Sequence, residues 1–306
     1  MREQTIGGLL REAAAANPDR VALVAGVADK SARRSWTYAE LLAEATRAAR
    51  GLRTKFEPGE RVAVWAPNYP EWIILQLASA LAGTILVTVN PAFRATEVAY
   101  VLKQSRSAGV VTSTDFRGIG MLATIKEIQP DLPELREVMS FDQWPELLAA
   151  ADDFDGDLPD PAPTDAVMIQ YTSGTTGFPK GALLHHRGLV NNGAHTAHRA
   201  GHRDGEVVVG VCPLFHTAGC VITVLGAIAS KATLVYQEAF DPGLALELME
   251  TYRVTVMMAV PTMLVAITEH PNFTTTDLSS LKAVTSGGSL VPASMVRKFE
   301  EELDAR

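Results

Sequence analysis

Short apolar runs rich in β-branched residues alternate with helical patterns along most of the chain. This alternation predicts an α/β fold, with mostly parallel sheets and crossover helices on their faces. The predicted strands cover residues 61–65, 85–89, 109–112, 165–171, 207–211, 233–236, 254–260 and 283–285.

Residues 152–165, DDFDGDLPDPAPTD, interrupt the alternation with six aspartates and three prolines. Such a segment cannot bury enough apolar surface to offset the entropy lost on ordering, so it is predicted to be a surface connection. A chain of 306 residues is also long for a single core. We therefore expect two α/β lobes, with helix-flanked sheets, over residues 1–151 and 166–306 and an acidic, proline-rich connection over 152–165.

Two stretches, residues 72–93 and 207–230, contain no Asp, Glu, Lys or Arg and are long enough to cross a bilayer. Gly83 interrupts the first stretch and Pro213 the second, so both are predicted to be core segments and not integral membrane spans. The N-terminal residues contain no apolar run long enough for a secretory signal. We therefore expect a cytoplasmic protein.

The composition, 47% hydrophobic and 20% charged, is that of a globular protein. The chain has 27 Lys and Arg and 35 Asp and Glu, a net charge of −8. That sign disfavours binding to a phosphate backbone, so no nucleic-acid partner is expected. The two cysteines, Cys212 and Cys220, match neither a metal-ligand pair nor a disulfide framework and fit a reducing compartment.

The segment 171–181, YTSGTTGFPKG, follows an apolar run and concentrates hydroxyls, glycines and one lysine. Gly174 and Gly177 let backbone N–H groups turn toward an anion, and Lys180 adds positive charge. The loop is therefore predicted to bind the phosphates of a nucleotide, between one strand ending near Thr172 and another beginning near Lys180. The hydroxyl donors are Thr172, Ser173, Thr175 and Thr176.

Two alternatives for this segment are less favoured. A solvated Ser/Thr/Gly surface loop would not require so many donors and a cation within eleven residues of a buried strand. A P-loop requires Gly-Lys-Ser/Thr, whereas here Pro179 precedes Lys180 and Gly181 follows it.

YTSGTTGFPKG resembles the signature loop of the adenylate-forming superfamily, which includes acyl-CoA synthetases, luciferases and peptide-synthetase adenylation domains. Three other segments resemble family motifs and occur in family order: WTYAEL at 36–41, ALAG with NP at 80–83 and 90–91, and SGGS at 286–289. The resemblance implies the two-lobed N-terminal domain of that superfamily, which uses ATP and Mg²⁺ to activate a carboxylic acid, with CoA as co-substrate. It also implies that the Thr172 hydroxyl is a candidate Mg²⁺ ligand.

The sequence PLFH at 213–216 is similar to the form found in acyl- and aryl-CoA ligases. The resemblance implies that His216 lies where the substrate carboxylate, the adenylate and the thiol meet, and that Lys180 acts on the pyrophosphate side. It favours a medium- or long-chain fatty acid as the substrate. A lone histidine in an apolar stretch is more often a core residue, so the surrounding motif carries this assignment.

Small and aliphatic residues follow His216 and are predicted to line an acyl channel, although packing of a helix on a sheet must account for part of this face. Gly219, Cys220 and Val224 are the residues that we assign to it. The resemblance also implies that the SGGS segment approaches the adenine and acyl groups. Its expected contributors are Gly287, Gly288 and Ser289.

The other histidines are predicted to be structural. His195, His198 and His202 have a helical spacing that would suit zinc, but no nearby carboxylate or cysteine completes a site, so they are interpreted as a solvated face. His185 and His186 are adjacent on a strand and point to opposite sides, which disfavours a shared metal.

In the family, the SGGS segment is followed by a YGxTE segment, a ribose-binding aspartate and a C-terminal domain with a catalytic lysine, and none of these occurs before Arg306. We therefore expect an N-terminal domain that lacks the C-terminal domain and is incomplete at its C-terminus. Three functions stay open: part of an AMP-forming acid–CoA ligase, a non-catalytic nucleotide- or acyl-binding remnant or subunit, and a peptide-synthetase adenylation module. PLFH disfavours the third, and base rates among soluble oligomers make a homodimer the expected assembly.

Overall fold

The computed structural model describes residues 1–172 and 179–303. Within this part of the chain, twelve strands and eleven α-helices are joined by turns and short 3₁₀ segments, and one further helix, Ala218–Leu225, has π geometry. The strands are β1 (Val21–Gly26), β2 (Ser35–Thr37), β3 (Arg61–Trp65), β4 (Ile85–Val89), β5 (Ser107–Thr112), β6 (Glu137–Ser140), β7 (Ala166–Thr172), β8 (Lys180–His185), β9 (Val207–Gly210), β10 (Thr233–Gln237), β11 (Val256–Ala259) and β12 (Ala283–Ser286). The helices are α1 (Ile6–Ala16), α2 (Tyr38–Arg53), α3 (Pro70–Ala82), α4 (Ala95–Ser105), α5 (Met121–Ile128), α6 (Trp144–Ala149), α7 (His186–Arg199), α8 (Gly226–Ala229), α9 (Pro242–Thr251), α10 (Pro261–Thr268) and α11 (Ala293–Leu303).

The strands form two six-stranded sheets that are parallel except at one edge of each. The first sheet has the order β12-β11-β9-β10-β1-β2, and β2 is antiparallel to β1. The second has the order β6-β5-β3-β4-β7-β8, and β8 is antiparallel to β7. The predicted fold class, with two mostly parallel, helix-flanked sheets, is confirmed.

The division of the strands between the sheets differs from the predicted lobes. β1 and β2 precede the acidic connection but pair in the sheet of β9 to β12, and β7 and β8 follow it but pair in the sheet of β3 to β6. Alternation of strands and helices indicates the elements but does not determine which sheet edge each strand joins. Residues 154–165 have no regular secondary structure, and the side chain of Arg50 donates to the carbonyls of Phe154 and Gly156 in this segment.

The largest hydrophobic core lies between the sheets and surrounds α3. The Trp72 and Leu75 side chains of α3 are completely buried, and the same core contains Leu23 of the first sheet and Val62 of the second. Gly83 ends α3 in a left-handed conformation, with φ 72°, where a side chain would be strained. Residues 72–93, which are numerous enough to cross a bilayer, therefore contain the buried part of α3 and the strand β4. Among the described residues, no helix has the length and apolarity needed to cross a membrane.

Candidate active site

A cavity of about 830 Å³ opens at the carboxyl ends of β4 and β7, where parallel α/β sheets commonly bind ligands. Its walls come from these strands, from α4 and from the segment that follows β9. The lining residues are Thr88, Asn90, Phe93, Thr96, Glu97, Ala99, Tyr100, Lys103, Asp131, Leu132, Gln170, Tyr171, Thr172, Pro179, Phe215, His216 and Thr217. The cavity therefore brings together both described flanks of the predicted phosphate loop and the predicted histidine.

The predicted phosphate loop connects two antiparallel strands. β7 ends at Thr172, β8 begins at Lys180, and these two residues are partners in the ladder. The two expected strand ends are confirmed. Thr172 is exposed and lines the cavity, while the exposed Lys180 does not line it. The other predicted phosphate-binding residues lie outside the described residues: Ser173, Gly174, Thr175, Thr176 and Gly177.

Helix α4 forms hydrogen bonds with both flanks of the loop. The Tyr100 hydroxyl donates to the Pro179 carbonyl oxygen at 3.2 Å, and the Tyr171 hydroxyl donates to the Val101 carbonyl oxygen at 3.3 Å. Gln104 Nε2 donates to the Tyr100 hydroxyl at 2.8 Å. Burial raises the pKa of Tyr171 to about 12, so this phenol stays a neutral donor. α4 therefore holds the two ends of the loop relative to the cavity wall, a role that the sequence analysis missed.

His216 lies on the turn after β9, and one of its ring nitrogens is hydrogen-bonded within this turn. Its Nδ1 accepts a hydrogen bond from the Ala218 amide at 3.1 Å. The neutral ring therefore carries its hydrogen on Nε2, a nitrogen for which the described residues provide no hydrogen-bond partner. His216 is exposed and lines the cavity. Its Nε2–H can donate to a carboxylate or phosphate oxygen.

Residues distant in sequence hold the turn that carries His216. Asn68, after β3, accepts from the Leu214 amide through Oδ1 at 2.8 Å, and its Nδ2 donates to the Gln237 carbonyl oxygen at 3.2 Å. The Tyr236 hydroxyl donates to the Cys212 carbonyl oxygen. The sequence analysis missed both side chains. An asparagine just after a predicted strand was the available signal for Asn68.

Gly219, Cys220 and Val224, the predicted acyl-channel residues, are buried in the π-helix. Cys220 and Val224 have no exposed surface and belong to the core between the sheets. A Cβ on Gly219 would lie 2.3 Å from the Pro213 carbonyl oxygen, so close packing against the turn requires a glycine here. These residues do not line the cavity described above, and their role in holding an acyl chain stays a prediction.

The two cysteines are buried free thiols. Burial raises the pKa of Cys212 to about 11 and that of Cys220 to about 12.

Gln170, which lines the cavity, donates to Cys220 Sγ at 3.2 Å. Beside it on β4, the Thr88 hydroxyl oxygen is buried at the cavity wall without a hydrogen-bond partner among the described residues.

The predicted glycine pair lies apart from the cavity. Gly287, Gly288 and Ser289 follow β12, at the edge of the first sheet, and do not line the cavity. Gly288 has φ 83°, and a Cβ there would be 3.6 Å from Val260. The turn therefore has the backbone freedom that the motif suggested, but its place in the adenine and acyl pocket stays a prediction.

The described residues contain no group of three His, Cys, Asp or Glu side chains that could hold a metal. Thr172 offers one hydroxyl at the cavity, and its role as a Mg²⁺ ligand stays a prediction.

Two of the other histidines have the structural roles predicted for them. His185 caps α7 by accepting from the Gly188 amide at 2.9 Å, and the buried His186 accepts from the Ile6 amide at 3.2 Å. His195 and His198 are exposed on α7, as predicted. His202 was predicted on the same solvated face but is buried beyond the end of α7, 3.4 Å from the Ser230 hydroxyl. Extending the helical spacing past the helix end caused this error.

The family model for the AMP-binding enzyme matches residues 10–306. The putative acyl-CoA synthetase YngI of Bacillus subtilis (strain 168) is 32% identical over 98% of this chain and 59% of its own length. The medium-chain acyl-CoA ligase ACSF2, mitochondrial, of Rattus norvegicus is 30% identical over 99% of this chain and 54% of its own length. The chain thus spans little more than half the length of these curated relatives.

A solved structure agrees with the sequence relatives. The inhibitor-bound N-terminal domain of FACL13 from Mycobacterium tuberculosis superimposes with a TM-score of 0.85 and 26% identity, over 98% of this chain and 73% of that one. The two-sheet architecture is therefore that of a solved N-terminal domain.

Proposed function

Because the chain belongs to the AMP-binding enzyme family, we propose that it supplies the substrate cavity of an enzyme that activates a carboxylic acid with ATP and transfers the acyl group to CoA. The relatives of this chain are acyl-CoA synthetases and ligases. The observation that carries the proposal is the cavity that the flanks of the 172–180 loop share with His216.

The chemistry follows from the two sides of this cavity. His216 Nε2–H donates to one oxygen of the acid, which orients the other oxygen toward the α-phosphorus of ATP. That oxygen forms the new P–O bond and pyrophosphate leaves on the loop side, where Lys180 offsets its charge. Mg²⁺ would neutralise further phosphate charge with Thr172 as one ligand. The CoA thiol then releases its proton to solvent and attacks the acyl carbonyl, forming the C–S bond as the bond from the acyl carbon to the AMP phosphate oxygen breaks and AMP leaves.

A medium- or long-chain fatty acid is the substrate class that we favour. Much of the cavity wall is aromatic or aliphatic, with Phe93, Leu132 and Phe215 among its members. The name of one relative, a medium-chain acyl-CoA ligase, specifies medium-chain acids. Aromatic acids are the competing class, because aromatic walls also stack against a planar acyl group.

Binding measurements with Lys180→Ala and His216→Ala test the proposal on the chain itself. Calorimetry with MgATP and with non-hydrolysable acyl-adenylate analogues carrying octanoyl, dodecanoyl or benzoyl groups separates the two sides of the cavity. We expect Lys180→Ala to weaken MgATP binding by one charge-assisted contact, about 1.5 to 3 kcal/mol. His216→Ala should weaken the acyl-adenylates more than MgATP, by an amount that depends on the acyl group.

The matched control is Lys126→Ala, since Lys126 is an exposed lysine on α5 that lines no part of this cavity. It should bind every ligand as the unmodified chain does. Equal, acyl-independent losses for His216→Ala would contradict the carboxylate role of this histidine. Failure of the unmodified chain to bind any acyl-adenylate would contradict the proposed function as a whole.

A further inference from the structure

A second cavity, of about 410 Å³, lies beside two central strands of the first sheet, β9 and β10. The 202–204 turn that lines it precedes β9, and Lys231 precedes β10, so the cavity is at the amino ends of these strands. His216 follows the carboxyl end of β9. We call this second site the basic cavity and define it by six of its lining residues: Arg2, His195, His198, His202, Arg203 and Lys231.

Nitrogen-bearing side chains dominate the walls of the basic cavity. Among the described residues that line it, Asp204 is the one acidic residue, and Arg20 already pairs with it. Glu12 is close by, and its partner is Arg2 at 2.9 Å. Arg203 and Lys231 form no ion pair within the described part of the chain, although Lys231 helps to lower the pKa of Glu12. Two cations therefore face the cavity with their charge largely uncompensated.

The backbone around the basic cavity is well anchored. Asn191 of α7 accepts from the Arg2 amide and donates to the Arg2 carbonyl oxygen, both at 2.8 Å, which fixes the N-terminal segment against the helix. Arg203 Nη1 donates to the His202 carbonyl oxygen at 2.8 Å. Tyr38, from α2, donates to the Ala232 carbonyl oxygen at 2.8 Å beside Lys231. The main chain that carries the cationic side chains is thus fixed by hydrogen bonds.

We propose that the basic cavity is a binding site for a phosphate group, separate from the nucleotide cavity and additional to the proposed ligase function. Arginine, lysine and imidazole N–H groups are donors that phosphate oxygens accept, and an arginine can bind two of them at once. Helical spacing alone suggested a zinc site for the three histidines. In the structure they instead share a cavity with cations, which repel a metal ion and attract an anion.

The phosphate group could belong to a soluble phosphate ester or to a lipid headgroup at a membrane surface. Both sources present the same oxygens to Arg203 and Lys231, and a cavity of this volume has room for part of an organic substituent. The experiment therefore has one arm for each source.

The first arm titrates inorganic phosphate into the full chain at constant ionic strength, with calorimetry and the NMR signals of His195 and His198 as readouts. We expect saturable binding with a Kd of about 1 mM or tighter. Arg203→Gln and Lys231→Gln should each raise the Kd about tenfold, since each removes one charged contact. Lys126→Gln is the charge-matched control and should not change this Kd. Phosphate binding that Lys180→Ala abolishes belongs to the nucleotide loop and is subtracted from the signal.

The second arm measures co-sedimentation with phosphatidylglycerol vesicles and with phosphatidylcholine vesicles. Retention on the anionic vesicles that Lys231→Gln and Arg203→Gln reduce, but Lys126→Gln does not, would assign the site to a lipid phosphate. Phosphate binding with the expected variant pattern and no retention would assign it to a soluble ester. The proposal is overturned if phosphate binding is sensitive to Lys180→Ala and not to Lys231→Gln, or if neither ligand binds.

Discussion

His186, at the start of α7, is a buried histidine that accepts a hydrogen bond from the Ile6 amide through Nδ1. Burial lowers its pKa to about 4, although the charge of Asp165 opposes the shift, and burial also lowers the pKa of His202 to about 4. The unfolded chain therefore binds protons that the folded chain does not once the pH falls below the ordinary histidine pKa. The stability that the neutral buried histidines contribute is fully present above the ordinary histidine pKa, and it is lost as the pH falls from there to about 4.

We expect His186→Asn to reduce this pH dependence, because asparagine offers an acceptor near the position of Nδ1 and does not titrate. Urea unfolding from about pH 7 to pH 4 should give a loss of unfolding free energy smaller by on the order of 3 kcal/mol than in the unmodified chain. His198→Gln, at an exposed position on α7, is the control and should keep the original slope. An unchanged slope in His186→Asn would contradict a neutral buried imidazole.

Two of the predicted site residues were easier to locate from the sequence than the residues that hold them at the cavity. Thr172 and His216 were found because each sits in a short, recognisable segment, and the structure brings both to one cavity. Asn68 is 146 positions from the amide that it accepts from, and Tyr100 is 79 from the carbonyl that it binds. Such partners depend on the fold, so spacing along the chain carried little information about them.

At the scale of elements, α4 is the helix whose hydrogen bonds hold both flanks of the predicted phosphate loop. Tyr100→Phe removes the hydroxyl that binds the Pro179 carbonyl and leaves the ring in place. We expect weaker MgATP binding by about 0.5 to 1.5 kcal/mol, the net value of a neutral hydrogen bond, with thermal stability nearly unchanged. Calorimetry measures the MgATP affinity, and thermal unfolding measures the stability.

Tyr252→Phe is the matched control, since Tyr252 is a partly buried tyrosine that packs beside α9 and lines no part of the nucleotide cavity. It should bind MgATP normally. An equal loss of MgATP affinity in both variants would contradict a role for α4 in positioning the loop.

Strand identity was predictable because buried strands have a strong local pattern, and all eight predicted runs are strands in the structure. β1, β2 and β6 were missed. β2 has three residues and β6 has four, which is too short for a clear period, and β6 is only partly apolar. Only four residues separate β1 from the end of α1, and its partner β10 lies more than 200 residues away.

At the scale of the whole molecule, each sheet takes strands from both sides of the acidic connection. β1 pairs with β10 through Leu23 and Leu234, and β4 pairs with β7 through Leu86 and Met168. The core between the sheets includes residues of α1, α2, α3 and the π-helix. The two predicted lobes are thus interlocked by hydrogen bonds and by shared apolar surface, and neither half of the chain contains a complete sheet.

This interlocking predicts that a cut in the connection will not separate the halves. A specific protease site inserted after Asp157, an exposed residue in the segment without regular structure, would allow the folded chain to be cleaved there. The two fragments should elute together in gel filtration and unfold in a single transition, because separating them would expose the strand edges of β4 and β10 and the apolar face of α3. Denaturant should separate them, and removing it should restore the pair only when both fragments are present. Two independent elution peaks without denaturant would mean that the 152–165 segment divides the protein into lobes that fold alone.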